Sequence, residues 1–197
     1  MKADSTAEKI AVVALAILEK DGAEAVTMRR VAETVGITPM AIYHHFPDRQ
    51  SLLTFITDRE FENLADLMRT SMRALPRKAT PITRLLRVND FYIDYSFAHP
   101  CVFDYVFSRH RDDARRFPDD FRAGRSPTIN LVAETVSDAM RAGVIRKDDK
   151  WEIAMDLWAL VHGYVALYRA GRFALDEAAF RGLLRRSYGR YINGLKS

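Results

Sequence analysis

The chain has 197 residues, of which 48% are hydrophobic, with 30 Lys/Arg against 26 Asp/Glu and a formal net charge of +4. That is enough apolar material for one large or two small domains with a real core. A single cysteine, Cys101, excludes an internal disulfide and fits a reducing cytoplasm. The longest apolar run near the start, Ile10 to Leu18, is too short for a membrane span or a secretory signal, so no membrane partner is expected.

Breakers divide the chain into about nine helices with no strand-like alternation, an all-α reading. The first helix runs from about Ser5 to Asp21, with Ala7, Ile10, Ala14, Ile17 and Leu18 on one face. Thr27 is a good N-cap for a helix of about eight residues in which Val31 and Val35 sit four apart. Gly36 supplies its stop. Thr38 caps the next helix and Pro39 fits its first position, where the missing N–H is not needed. Only Ile42 and Phe46 of this stretch belong to a core, so Pro39, Met40, Ala41, Tyr43 and His44 face outwards. Two short helices around a tight turn are the helix-turn-helix that enters a DNA major groove.

A long helix follows from Asp48 to about Leu75, and Pro76 to Pro81 is a polar link. Thr80-Pro81 opens a helix to about Ala98, His99-Pro100 breaks it, and Cys101 to Phe107 is a short aromatic-rich helix. Residues 108–125 read as a charged loop. Ser126-Pro127 opens a helix to about Ala142, Asp148 or Asp149 opens a long apolar one to about Ala170, and the last runs from about Asp176 to Gly194. The expected organisation is a three-helix DNA-binding domain over residues 1–50 and a larger helical domain over 51–197.

Positive charge is not concentrated on the expected DNA-binding domain. Residues 1–50 carry six Lys/Arg against seven acids, whereas residues 169–197 carry seven Lys/Arg against two acids. Phosphate attraction must therefore come from local placement of Arg29, Arg30, Arg49, the histidines and helix N-termini. The late basic residues read as a solvated helix face.

The stretch from Thr27 to Leu52 resembles the DNA-binding domain of the tetracycline-repressor (TetR) family. The matching features are Ala11 and Ala14 with Ile17-Leu18, Gly22, Thr27-Met28, Val31-Ala32, Gly36-Ile37-Thr38 and Tyr43-His44-His45-Phe46, with Arg49 and Leu52. The resemblance implies that Arg29, Pro39, Met40, Ala41 and His44 face base edges, Arg29 being the best donor for a guanine. It implies phosphate contacts for Thr27, Tyr43, His45 and Arg49, and puts Met28 and Thr38 at the same surface. Arg49 stands where the family usually has lysine. Later, Trp158 to Gly163 resembles the tryptophan–histidine–glycine pattern of one C-terminal subclass.

Between Trp151 and Tyr168 apolar residues form two stripes, and a helix apolar on most sides is buried on most sides. One reading is a deep monomer core. The other is a four-helix dimer interface built from the last two helices, with Val161, Val165, Tyr168, Leu184, Tyr188 and Tyr191 in it. A two-fold homodimer also doubles the few base pairs that one short recognition helix reads on a palindromic operator of double-stranded DNA. For the domain over 51–197 the tetracycline-repressor family that residues 27–52 resemble implies ligand binding and dimerisation, with a small effector that lowers operator affinity. The aromatic content favours a hydrophobic one, with Phe61, Met68, Phe91, Tyr95, Phe103, Phe107, Trp158 and His162 as candidate contacts. These residues are also ordinary core at helical spacing.

Catalysis is not expected. The five histidines have no metal-ligand spacing, there is no phosphate-binding glycine loop, and Cys101 near His99 lacks the further groups a thiol nucleophile requires. Neither a metal nor another cofactor is called for. Two alternatives to effector-released repression stay open: a regulator that activates or ignores effectors, and a helical sensor acting through protein partners.

Overall fold

The computed structural model describes residues 6–196, and all regular structure among them is helical. Ten α-helices follow in order: α1 Thr6–Asp21, α2 Met28–Val35, α3 Pro39–Tyr43, α4 Arg49–Arg73, α5 Pro81–Ala98, α6 Pro100–Phe103, α7 Asp119–Arg122, α8 Pro127–Arg141, α9 Lys150–Arg169 and α10 Glu177–Gly194. Ser5, where the sequence reading starts the first helix, lies outside the described residues. A 3-10 turn, Ala23–Ala25, links α1 to α2, and a π-helical turn, Asp104–Ser108, prolongs α6.

The ends follow from side-chain capping. Thr27 accepts from the N–H of Arg30, Thr38 from Ala41, Asp149 from Trp151 and Asp176 from Ala179, each satisfying a first-turn donor that no helical carbonyl reaches. Asp48 does the same for α4, accepting from the N–H of Ser51 at 2.7 Å. Gly36 ends α2 at φ 80°, ψ 32°, a left-handed conformation that permits the sharp turn into α3. The expected loop over 108–125 contains α7, where Asp119 and Asp120 occupy the first turn and Phe121 is buried. One apolar residue among charges gives too little periodicity to read as a helix beforehand.

Two compact units are formed. The first takes the residues up to Phe61 together with Ala98–Ala114; the second takes Glu62–Phe97 together with the residues from Arg115 onwards. In the first, Ile10, Ala11, Ala14, Ile17 and Leu18 of α1 are buried, with Val31 and Ala32 of α2 and Ile42 of α3. Here α1 packs on α2 and on α6, and α2 on α3. Side-chain contacts tie the 98–114 segment to the same unit: His99 Nδ1 lies 2.5 Å from Glu19 Oε1, and Arg109 pairs with Glu24 at 2.7 Å. These partners lie about eighty residues apart in sequence, so a boundary at residue 50 does not anticipate them.

In the second unit α9 packs between α8 and α10. The core gathers Ala65 and Met68 of α4, Leu85 and Val88 of α5, and Val132, Val136 and Ala139 of α8. Ile153, Ala154 and Leu157 of α9 join them, with Tyr188 and Ile192 of α10. No described helix is long and apolar enough to cross a membrane.

Candidate functional site

In the first unit the helix-turn-helix presents a surface made of α3 and the start of α2. Ile42 is fully buried and Phe46 nearly so, with Phe46 packed edge-on against Phe55 of α4 at 5.3 Å between ring centroids. Anchored on these two side chains, α3 turns the rest of its surface to solvent. Met40 is 71% exposed and Tyr43 48%, while Thr38, Pro39, His44 and His45 are also exposed and Ala41 is half-buried. Thr27 and Arg29 are exposed at the start of α2. The structure thus brings nine of the eleven expected DNA contacts to one solvent-facing set, together with half-buried Ala41 among them.

Two residues depart from expectation. Met28 is buried, because the first residue of α2 lies on the same stripe as Val31 and Ala32 (three and four positions on) and points into the core. Its side chain is therefore not part of the solvent-facing set. Arg49 is half-buried and already occupied: its Nε donates to the carbonyl of Val26 at 2.7 Å and its Nη2 to that of Ala23 at 2.6 Å. Those carbonyls belong to the 3-10 turn and to the residue before the Thr27 cap, so the guanidinium braces the entry to α2. A forked donor on two carbonyls is geometry that only arginine supplies.

The other arginines of this surface are also engaged within the chain. Arg29 pairs with Glu33 one turn on at 2.8 Å, Arg30 pairs with Asp21, and Glu24 lies 3.8 Å from Arg49. Arg29 and Glu33 are largely exposed, so water screens the pair, which is held only weakly. Arg29 can therefore exchange Glu33 for another acceptor at little expense.

The expected effector contacts fall in both units. In the first, Phe107 packs edge-on against Phe61 at 5.5 Å and, with its ring tilted, against Phe103 at 5.2 Å. In the second, Met68 is core and Tyr95 is buried, while Phe91 and Trp158 pack against the core from half-buried positions. A residue that sequence reasoning missed organises this unit. Tyr92 of α5 accepts from Trp158 Nε1 at 3.1 Å, and its hydroxyl lies 2.9 Å from His162 Nδ1. Burial pushes the Tyr92 phenol up and the His162 imidazole down, so both are neutral near pH 7. Tyr92 follows Leu85, Val88 and Asn89 on one stripe of α5, a spacing visible in the sequence but overshadowed by Phe91 and Tyr95.

Most of the expected dimer contacts lie inside the single chain. Val161, Val165, Leu184 and Tyr188 are buried within the single chain. The breadth of apolar surface on α9 is matched by α8 on one side and α10 on the other, which cover these four side chains within the chain. Tyr168 and Tyr191 are half-buried; Tyr168 packs on Phe180 at 4.2 Å and Tyr191 donates to Asp156 at 2.7 Å. What α9 leaves outward is a different stripe, with Ala159 and Ala166 exposed, Gly163 half-buried and Leu167 50% exposed. A Cβ added at Gly163, or at Gly189 of α10, would meet nothing within 4 Å.

Comparison with known proteins gives this arrangement a family. Residues 10–54 match the model of bacterial regulatory proteins of the tetR family, and residues 85–187, more than half of the chain, match that of the tetracyclin repressor-like C-terminal domain. An HTH-type transcriptional repressor, DrrR1, of Streptomyces coeruleorubidus is 33% identical over 95 residues, covering 43% of this chain and 35% of the relative. The chain thus spans about a third of the length of that curated relative. A protein of unknown function from Rhodococcus sp. RHA1 has the same fold, with a TM-score of 0.81 at 24% identity over 100% of this chain and 98% of the other. The regulator FadR of Bacillus subtilis, solved in complex with stearoyl-CoA, superposes with a TM-score of 0.71 at 13% identity over 91% and 96% of the two chains. With a capped helix-turn-helix at one end and a Trp158–Tyr92–His162 cluster within its matched C-terminal domain, this chain belongs to the TetR family of DNA-binding transcriptional regulators.

Proposed function

We propose that the chain acts as a homodimeric repressor that holds a palindromic operator and releases it when a small hydrophobic effector binds the second unit. The observation that carries the reading is the exposed crest of α3. Pro39, Met40 and Tyr43 stand in solvent on a helix fixed from below by Ile42, an arrangement with no structural use unless a partner covers it. In this reading Arg29, Pro39, Met40, Ala41 and His44 reach base edges, and Thr27, Thr38, Tyr43 and His45 position the head on phosphates. Arg49 supports that surface from behind.

Dimerisation is assigned to the outward stripe of α9, Ala159, Gly163 and Ala166, with Gly189 of α10. Small side chains there let a second pair of helices approach closely, giving a four-helix contact across a two-fold axis. The effector is assigned to the second unit, whose interior combines apolar side chains with a few convergent polar groups. The relative named as a repressor supports the sign of regulation, and the neighbour solved with stearoyl-CoA supports, through its acyl chain alone, an effector with a long apolar portion.

The test is selection of random double-stranded DNA by the purified full chain at a stated salt concentration. Enrichment of a two-fold symmetric motif, bound less tightly after addition of an apolar compound library, is the expected result. Failure to enrich any motif at low salt would sink the reading and favour a sensor that works through protein partners.

A further inference from the structure

We propose that the second unit grips its effector through Asn89, and that this effector is a neutral, mostly apolar molecule bearing one amide-like group with a donor and an acceptor side by side. The inference deepens the effector reading above and rests on it. Asn89 lies on α5 and is 1% exposed, yet neither its Nδ2 nor its Oδ1 meets a hydrogen-bond partner among the described residues. Native structures seldom leave a buried carboxamide unpartnered, because withdrawal from water is costly and an apolar residue of similar volume avoids it. A side chain kept at that disadvantage calls for an explanation.

The surroundings give one. The buried stripe of α5 is otherwise apolar around Asn89, with Leu85, Val88 and Ile93. One turn onward the same stripe carries Tyr92, whose hydroxyl is already bound to Trp158 Nε1 at 3.1 Å and to His162 Nδ1 at 2.9 Å. Ser96 lies a turn further and bonds its own helix, donating to the carbonyl of Ile93 at 2.7 Å. Along this lane Asn89 is the position with both a donor and an acceptor left over.

Charge decides the ligand class. No Lys, Arg, Asp or Glu is among the buried residues of α5, and burial holds both His162 and Tyr92 neutral. From α9, Arg169 donates to the Ser96 carbonyl at 3.3 Å, about two turns along the lane from Asn89. Beside Asn89 itself a carboxylate or an ammonium ion would enter without a counter-charge, which is far costlier than a dipole. A carboxylate would also face Asn89 Oδ1 with like partial charge, and an alcohol reaches only one of the two groups at a time. An amide or lactam presents a carbonyl to Nδ2 and an N–H to Oδ1 together.

The experiment uses the full chain with octanamide, 1-octanol and octanoate as probes, read by thermal shift. Octanamide should raise the unfolding midpoint of the wild type most and octanoate least. Asn89→Leu should fold with a midpoint at or above that of the wild type and bind octanamide at least about tenfold more weakly, as loss of one buried amide pair predicts. Asn89→Ser, which adds no bulk, should keep a weakened response. Equal octanamide shifts in wild type and Asn89→Leu, preference for octanoate, no response to any probe, or a lowered midpoint in both variants would each overturn the assignment. Binding of the wild type to its selected operator without additive reads the regulator function separately, so a failure there is distinguishable from a failure at Asn89.

Discussion

Replacing Arg49 separates a brace from a phosphate contact. The side chain makes two charge-assisted bonds, to the carbonyls of Val26 and Ala23, at 2.7 and 2.6 Å. Bonds of this type contribute about 1.5–3 kcal/mol each. The side chain is 38% exposed, so water replaces part of what is lost. Val26 itself is buried, so its carbonyl is poorly placed to find water instead. Arg49→Ala should therefore cost about 2–3 kcal/mol, or roughly 5–10 °C in unfolding midpoint for a chain of this size. Arg49→Lys keeps the charge but offers one point donor in place of a fork, and should cost about half as much. The assay is thermal unfolding followed by circular dichroism, beside operator titration of the same proteins. An unchanged midpoint for Arg49→Ala with a large, sequence-independent loss of DNA affinity would refute the brace and restore the phosphate role.

Other substitutions probe other surfaces. A Cβ at Gly163 meets nothing within 4 Å, so Gly163→Phe should fold yet give a monomer by light scattering; an unchanged dimer would move the interface off α9. Tyr188→Asp places a carboxylate at a fully buried position and should cost more than about 3 kcal/mol, so it tests folding and not assembly; a folded, merely monomeric product would contradict the burial. Because burial holds the His162 imidazole below its usual 6.5, the unfolded chain binds that proton first as pH falls. Stability should be highest above pH 6.5 and decline on acidification through that value, and His162→Gln should flatten the decline; a wild-type midpoint rising toward pH 5.5 would contradict the sign. Met40→Ala should leave the midpoint within about 0.5 kcal/mol of wild type while changing preference at a single base pair, and a uniform loss over all sequences would argue against a base contact.

The helices were legible wherever a cap and a breaker mark them. Thr27, Thr38, Asp149 and Asp176 each announce a first turn, and Gly36 takes the left-handed conformation that its place after α2 demands. The exposed crest of α3 was legible too, because Ile42 and Phe46 are its only strongly core-forming positions. Long-range partners were not. Nothing local to Arg49 reveals that carbonyls 23 and 26 residues earlier receive its guanidinium. The pairing of 98–114 with α1 and the 3-10 turn likewise depends on Glu19 and Glu24, far away in sequence.

Breadth of apolar surface on α9 does not by itself say what covers it. Periodicity reports that Val161 and Val165 are covered, but not whether α8, α10 or a second chain covers them. A polar residue on an apolar stripe was the signal passed over on α5. Asn89 and Tyr92 fall in line with Leu85 and Val88, and the pattern was there to be read.

A repressor that reads a two-fold operator makes a geometric demand on its DNA. On the selected operator, sedimentation should give two chains per duplex, with half-sites about one helical turn, roughly 10 base pairs, apart or a multiple of it. Inserting about half a turn between the half-sites should abolish tight binding, because the two α3 crests then face opposite sides of the duplex. One chain per duplex, or binding that tolerates the insertion, would contradict the dimeric repressor.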